Sequence, residues 1–576
     1  MISSEVIQGL FNTVRNILNA PLGDCVPQEK PIFLPGFISY TVNVTLRTSG
    51  KLRASMGATH VSLSQAVQLA ASKALGDTRF GDPVAKLELA SMTTELWIQL
   101  DREMLAGKNI DHLKNSIRLG YHGIELFLDG RSAYYKPSVP VTSTIDSHER
   151  LLTKLCRKAS LPLDSWKHSE AQLFRSRWLH YVENKSIKRG YVQLECLRNV
   201  SESPLSVESV GGLAKSALSR LLAAQKPDGS FIYKYDACRN RELEARINMV
   251  RMAGCAYSLS RATVKMNGFS NPALEKAAAN AIWFLLKHSS QHPGQSSGIY
   301  IAEYDGRGKL GAIALTLLAL QFGSFSDDFS KQREQLLLAL LSMQNNDGSF
   351  QCFVGAENTS TTSHDFYPGE ALLALCYEAG RCNSVEISNV VEKSFCFYKD
   401  YFTRRPASGF VLWHVDTWSR LHCLLGERHS PVKKIKEPSR YSDFVFHLVD
   451  WILATQHQEN ADVPGLYWGG FGFPDPPTAA SSVYLEAVAY GLSLATAMNL
   501  KDRESKYRDA VTLGLQFLRR LQFGGDQSFL FQQPALAIGG LPMNLHTSVI
   551  RCDHDQHLIT ATIAALDSNA VRPTSL

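Results

Sequence analysis

The phrase LLSMQNNDGSF (Leu340–Phe350) constrains the fold of this chain most, because it recurs. It stands earlier as LLAAQKPDGSF (Leu221–Phe231) and later, degenerate, as LRRLQFGGDQSF (Leu518–Phe529). Each copy reads as the end of an apolar-periodic helix running into a tight polar turn. Comparable helix ends fall near Gln291 (QHPGQSSGIY), near Pro406 (RRPASGFVLW) and at Gln456 (QHQENADVPGLYWGGF), which makes six anchors. Their intervals of roughly 50 to 65 residues fit one helix, a loop and a returning helix, the signature of stacked helical hairpins. Asp-Gly supplies the turn, and the following Phe pins the loop. The loops are long, uneven and aromatic, unlike those of an open solenoid. The hairpins are therefore expected to close into an all-α ring over residues 210–570.

The first 200 residues have another texture. PIFLPGFISYTVNVTL and TTELWIQL are rich in Val, Ile, Thr and aromatics and read as strands. SLSQAVQLAASKAL has helical spacing behind a serine start, and LLTKLCRKASLPLDSW is a second helix with a Leu-Pro stop. Asp129-Gly130 inside GYHGIELFLDGRSAYYKPSV predicts a hairpin turn. An α+β domain over residues 1–200, covered by helices on one side, follows from this. The polar stretch NVSESPLSVESVGG (Asn199–Gly212) is expected to separate it from the ring.

KLRASMG, DTRF, TTELWIQL, GYHGIEL, GRSAYYKPSV and LCRKASLPLDSW, in this order, resemble the successive signatures of the AMMECR-type domain. That family usually has L-R-G-C-I-G in the first phrase. Here Leu52, Arg53, Ala54, Ser55, Met56 and Gly57 stand there, so Ser55 replaces the family's cysteine. The resemblance implies a fold and no defined reaction, and any chemistry of that cysteine is expected to be lost. Arg53, Arg79 and His122 either hold loops by hydrogen bonds or form a small anion pocket. The later hairpins resemble the (α/α)6 toroids of glycoside hydrolases, sugar epimerases and lyases, and terpenoid cyclases. The Q-x-x-D-G-S-F corner is similar to the turn repeat of prenyltransferase and squalene-cyclase toroids.

In a closed ring, the loops that follow the corners open on one face, so polar residues there should converge. The candidate catalytic residues at these junctions are Tyr304, Asp305, Asp365, Glu370, His414, Asp416 and Asp553; Asp365, His414 and Asp553 are expected in one cavity. Acids with His and Tyr equip a site for general acid–base work. Arg246, Trp413, Trp418, Tyr367, Tyr467, Trp468, Arg551 and His557 are the candidate substrate contacts, as carboxylate clamps and aromatic platforms. Each junction acid could equally be only a helix N-cap. A competing metal site would join His554 and His557, one helical turn apart, to Cys552, Asp553 and the His414-x-Asp416 pair. Prenyltransferase toroids use zinc through Asp, Cys and His, but their ligand phrases do not recur here. A lone His-x-x-His is weak, so neither metal nor cofactor is expected. No D-x-D-D or D-D-x-x-D phrase speaks for terpenoid cyclisation.

Composition narrows the classes further. The charge of +6 is mild and dispersed, which argues against a nucleic-acid surface. No apolar run approaches the length of a membrane span, and MISSEVIQGLFNTVRNILNA reads as an amphipathic helix rather than a signal sequence. The eleven cysteines include no C-x-x-C pair and sit mostly in apolar helical phrases, as buried thiols of a cytoplasmic protein would. The expectation is an acid–base enzyme acting on a carbohydrate or uronate-like substrate by hydrolysis, elimination or epimerisation. Two alternatives remain open: an accessory protein that modifies a peptide or polymer in a biosynthetic cluster, and a non-catalytic scaffold binding an extended ligand in the toroid mouth. The expected substrate is a small molecule, glycan or peptide, with no nucleic acid and no membrane as partner.

Overall fold

A computed structural model describes residues 2–19, 31–33, 36–184, 187, 190–200, 204–244, 246–266, 272–323, 325–355, 361–382, 384–426, 438–460, 463–473 and 476–571. The chain opens with helix α1 (Ser4–Asn19), strands β1 (Tyr40–Thr48) and β2 (Lys51–His60), and helix α2 (Leu63–Leu75). Next come β3 (Thr93–Gln99), β4 (Glu103–Met104), α3 (Ile110–Ser116), β5 (Gly123–Leu128) and β6 (Arg131–Tyr135). Helices α4 (Ser138–Thr142) and α5 (His148–Lys158) precede β7 (Gln172–Ser176), β8 (Trp178–Glu183), β9 (Tyr191–Glu195) and β10 (Arg198–Asn199).

These strands form two sheets. One is six-stranded in the order β10-β9-β8-β3-β1-β2, the other four-stranded in the order β4-β7-β5-β6. On the larger sheet, α1 and α2 bury Ile7, Leu10, Val14, Ala66 and Ala70 against Val42, Val44 and Leu96. α5 covers the smaller sheet with Leu151, Leu152 and Leu155. Asp129 and Gly130 both adopt positive φ, as the predicted tight hairpin between β5 and β6 requires. Arg53 pairs with Glu88, and the His122 ring accepts from the Arg118 N–H, so both fasten loops.

The second part begins at α6 (Val207–Ala223), capped by Ser206, and continues through strands β11 (Lys234–Asp236) and β12 (Arg241–Glu244) to α7 (Met249–Lys265) and α8 (Pro272–Lys287). Short strands β13 (Ser289–Gln291), β14 (Ile299–Ile301) and β15 (Gly308–Lys309) lead to α9 (Leu310–Leu320), α10 (Phe325–Asp328) and α11 (Ser330–Ser342). After β16 (Phe353–Val354) come α12 (Tyr367–Arg381), α13 (Val385–Arg404), α14 (Ser408–Gly426) and α15 (Ser439–Leu453). The last elements are α16 (Ser481–Ala497), α17 (Lys501–Leu521), β17 (Val549–Arg551) and α18 (Cys552–Asp567).

Helices α7, α9, α12, α14, α16 and α18 each pack on the next, and α18 packs back on α7. α6, α8, α11, α13, α15 and α17 lie outside them. The result is a helical toroid. The antiparallel ladder between β11 and β17 ties the first hairpin to the last.

The recurrent glutamine works through its side chain. Gln225 Nε2 donates to Ala277 O of α8, Gln344 to Val390 O of α13, Gln456 to Ala510 O of α17, and Gln522 to Leu213 O of α6. Each helix end is thereby stapled to the next outer helix around the ring. Gly229, Gly348, Gly469 and Gly539 turn these corners at positive φ, where a Cβ would overlap a carbonyl of that same neighbour. Asp228 and Asp347 each accept from the serine two residues on and hold the turn shut. The other two corners differ. Gln291 folds onto its own loop, and the turn between α13 and α14 carries neither Gln nor Asp-Gly. Gly469→Ala is expected to cost on the order of 2–3 kcal/mol, combining the left-handed backbone with a lost staple bond. Gly465, with open space around it, provides the neutral control. Denaturation midpoints of the two variants check this.

The two parts share an interface. Trp97, Val182, Leu194 and Leu197 of the first domain pack against Phe523, Phe531 and Ile550 of the second. Thr144 and Ser548 both donate to Asp236 there. Cys156, Cys196, Cys255, Cys352, Cys376 and Cys552 are buried, whereas Cys382, Cys396 and Cys423 are exposed, against the expectation for thiols in apolar helices. Among the described residues no helix is long and apolar enough to cross a membrane.

Candidate functional site

Residues three or four apart on an inner helix share one face, so each helix offers the lumen a short ladder of side chains. Asp553, His557 and Thr560 form that ladder on α18; Trp413, Asp416 and Arg420 on α14; Glu486 and Tyr490 on α16. Tyr257 and Arg261 complete it on α7, and Glu370 and Tyr377 on α12.

Deep in the ring these ladders interlock. Arg261 Nη1 donates to the Tyr490 hydroxyl (2.5 Å) and the Tyr257 hydroxyl (3.2 Å), with Glu486 Oε1 at 3.4 Å. Thr560 donates to the other Glu486 oxygen (2.6 Å), and His557 Nδ1 lies 3.5 Å from it. The Trp413 and His557 rings meet edge-on at 5.9 Å. Arg420 donates to the Tyr377 hydroxyl (2.7 Å) while stacking on its ring, and lies 3.8 Å from Asp416. Burial raises the Asp416 carboxyl above its ordinary range, although Arg420 and Arg261 oppose it.

At the mouth, where the inner helices begin, the charges are differently poised. Asp553 receives Arg551 through Nε (2.9 Å) and Nη2 (2.5 Å), and Arg251 Nε stands 3.2 Å away. Burial would raise this carboxyl, but Arg251, His554 and Arg551 together hold it far below the usual range. The arginine side chains keep 35% and 20% of their surface in solvent, so the mouth is wet at this point. Glu370 has the opposite setting. It is buried, its Oε2 has no hydrogen-bond partner among the described residues, and burial pushes it up to about 8, with Arg251 only partly opposing. Gly311 of α9 makes room for it, since a Cβ there would overlap both the Glu370 carboxyl and the Tyr367 ring.

Asp416, Asp553, Glu370, Tyr367, Trp413, Arg551 and His557 thus line the lumen or its mouth. The others do not. His414 faces outward, stacked on Phe410 at 3.6 Å and near Tyr398 of α13, and burial keeps it neutral. Asp365 accepts from the Tyr401 hydroxyl (2.8 Å) of the same outer helix. Hence Asp365 and His414 meet at α13, whereas Asp553 keeps company with Arg251, and the expected convergence of the three is corrected. Trp418 packs on Phe395 and Tyr441 in the outer layer. The physical reason is helical phase: one residue along a helix turns the side chain by about 100°, so adjacency to a lumen residue points away from the lumen.

Tyr304 is 64% exposed on the loop between β14 and β15, where its neighbour Asp305 pairs with Arg246 from the loop before α7. Tyr467 reaches His546 at 3.4 Å in a cleft between the domains, and Trp468 Nε1 donates to Val463 O within its own loop. Loops carry these five predicted residues away from the mouth. Sequence reasoning missed Arg251, Arg261, Tyr257, Tyr377 and Tyr490. The signal was the four-residue spacing of Tyr257 with Arg261 and of Glu486 with Tyr490, and the seven-residue spacing of Glu370 with Tyr377, whereas Arg251 has no charged or tyrosine partner so spaced on α7. Among the described residues no group of three His, Cys, Asp or Glu side chains is placed to hold a metal ion. His557 turns to Glu486, and burial brings His554 down to about 3.

Residues 12–178 match the AMMECR1 family. No curated protein matches the chain. Among solved structures, an uncharacterized protein from Pyrococcus horikoshii is similar at 21% identity, covering 34% of this chain and 98% of its own, with a TM-score of 0.30. A cellobiose 2-epimerase from Bacillus thermoamylovorans is similar at 11% identity, covering 62% and 98%, with a TM-score of 0.43. A sugar epimerase from a ruminal bacterium is similar at 11% identity, covering 63% and 99%, with a TM-score of 0.45.

Proposed function

We propose that the toroid mouth is an acid–base active site for a carbohydrate bearing a carboxylate or carbonyl, such as a uronate, and that Glu370 moves the proton. The observation that carries this is the buried Glu370 carboxyl, whose Oε2 has no partner among the described residues and which burial pushes up to about 8. A carboxyl with that affinity holds its proton at neutral pH and releases it readily, as a proton-transfer group must. Asp553 is too strongly held by its arginines to be a good base. Its role is to aim Arg251 and Arg551 at the mouth, where two cations bind a substrate carboxylate and stabilise the charge that develops when an adjacent C–H is deprotonated. Tyr367 and Trp413 offer flat faces to a sugar ring. Epimerisation and elimination both need this set.

The test is proton NMR of aldoses, hexuronates and oligouronates incubated with the protein in D2O. Deuterium uptake at one carbon, or a new unsaturated or epimeric product, is expected for at least one anionic substrate. It should disappear in Glu370→Gln and weaken in Arg251→Lys. A protein that exchanges or converts no member of the panel, or a Glu370→Gln variant with undiminished turnover, overturns the assignment.

A further inference from the structure

The first domain carries a cleft of about 540 Å³ that the toroid chemistry does not use. Its floor is the β1–β2 ladder. Asn43 and Thr45 lie on one face of β1, as residues two apart on a strand do, and Ser55 pairs directly opposite Thr45. Lys136, just beyond β6, closes over them. Its Nζ lies 2.7 Å from Asn43 Oδ1, 2.5 Å from Thr45 Oγ1 and 3.2 Å from Ser55 Oγ. The lysine is buried, and no described carboxylate forms an ion pair with it, while Ser55 stays half-exposed towards the cleft.

The hydrogen bonds close in both protonation states. A charged Lys136 has three donors for three oxygens, and the Ser55 hydroxyl then donates to Asn43 Oδ1 (3.1 Å). A neutral Lys136 keeps two donors, for Asn43 and Thr45, and its lone pair accepts the Ser55 proton. A proton can therefore pass between Ser55 and Lys136 without stranding a buried polar group. Burial brings Lys136 down to about 7; Glu95 works against this, and Arg47, Lys158 and Arg79 reinforce it. Glu95 itself is shared with Arg47 and His180, which leaves it poorly placed to hold the proton on Lys136. Arg47, Arg79, Lys136 and Lys158 line the cleft; behind the lining, Asp77 accepts from the Ser55 N–H (2.9 Å) and pairs with Arg79, and Glu95 pairs with Arg47.

We propose that Ser55 and Lys136 form a nucleophile–base dyad that hydrolyses carboxylic esters whose acyl part carries an anionic group. Lys136 Nζ takes the Ser55 proton as Oγ bonds to the carbonyl carbon. The tetrahedral adduct expels the alcohol, which leaves with that proton from Lys136. Water then attacks the acyl-serine, giving its proton to Nζ, and Ser55 departs with a proton returned from Lys136. Lys158, whose Nζ rests on Tyr134 O, and the exposed side of Arg79, which Asp77 holds in place, form the rim that receives the acyl anion.

The full chain is tested with a fluorophosphonate and with p-nitrophenyl succinate against p-nitrophenyl acetate. One phosphonyl group should map to the Ser55 peptide, and the succinate ester should turn over faster than the acetate. Ser55→Ala should lose both activities. Lys136→Met should slow labelling by about 10²- to 10⁴-fold, the usual share of a general base. Should Lys136→Met fail to fold, the wild-type profile still decides: labelling must rise with pH to a plateau above about 7, as Lys136 loses its proton. No adduct on Ser55 together with no ester turnover, turnover surviving in Ser55→Ala, or labelling independent of pH between about 5.5 and 8.5 each overturn the proposal.

Discussion

Glu370→Gln is expected to cut the proposed toroid activity sharply and, in alkaline buffer, to make the protein more stable. Both effects come from one carboxyl. In the folded chain it titrates near 8, against an ordinary value of 4.5. Between those two values the folded state therefore keeps a proton that the unfolded state has released. Stability from this group is fully present below about 4.5, falls as pH rises through that window, and is lost above about 8. The total is on the order of a few kcal/mol. Glutamine is nearly isosteric and never ionises, so the variant escapes that fall. The expected result is near-equality at pH 4.5 and an advantage of a few kcal/mol for Glu370→Gln at pH 8.5. Turnover should drop by about 10²- to 10⁴-fold, the usual share of one proton-transfer group. Denaturant unfolding at the two pH values, beside kcat/KM, measures both. A variant that gains nothing at pH 8.5 would show that the carboxyl is not held protonated.

The corners of the toroid were legible because Q-x-x-D-G-S-F encodes backbone events: a staple to the next helix, a left-handed glycine and an Asp-capped turn. Each demands a particular side chain, so the pattern survives in sequence, even in the degenerate copy at Gln522. The first domain was legible for a similar reason, since the Asp129-Gly130 turn and the strand texture are local. The lumen was not. Inner helices are buried nearly all round, and every residue of α9 is buried. With an outer layer behind them, their few polar residues sit among apolar ones on both faces, so no solvent-type stripe separates inward from outward. In WHVDTWSR the aromatics point both ways: Trp413 inward, His414 and Trp418 outward. Junction acids compounded the difficulty, because a helix start attracts acids whether or not chemistry happens there. Ser55 illustrates another limit. Its setting depends on Lys136, which lies 81 positions away in sequence and 3.2 Å away in space.

Arg220→Met is expected to destabilise the toroid by about 3–5 kcal/mol at pH 8, the usual cost of stranding one partner of a buried ion pair. Arg220 on α6 and Asp555 on α18 are fully buried and meet at 2.6 Å, joining the first outer helix to the last inner one across the ring closure. Asp555 also accepts from the Leu541 N–H (2.8 Å), and Arg220 Nε donates to Leu536 O (3.1 Å). Burial raises Asp555 to about 6 even with the arginine present. Without it the carboxyl binds its proton still more tightly. The folded variant can then escape the stranded charge by protonation, at a cost that shrinks as pH falls. Its deficit against wild type should thus be largest at pH 8 and clearly smaller at pH 5, the reverse of a simple loss of packing, which would not depend on pH. Adding Asp555→Leu removes the stranded charge, so the double variant should recover most of the loss at pH 8, and the two substitutions should be strongly non-additive. A single variant within about 1 kcal/mol of wild type at pH 8, or a double variant no better than the single one, would show that the pair does not hold the ring closed.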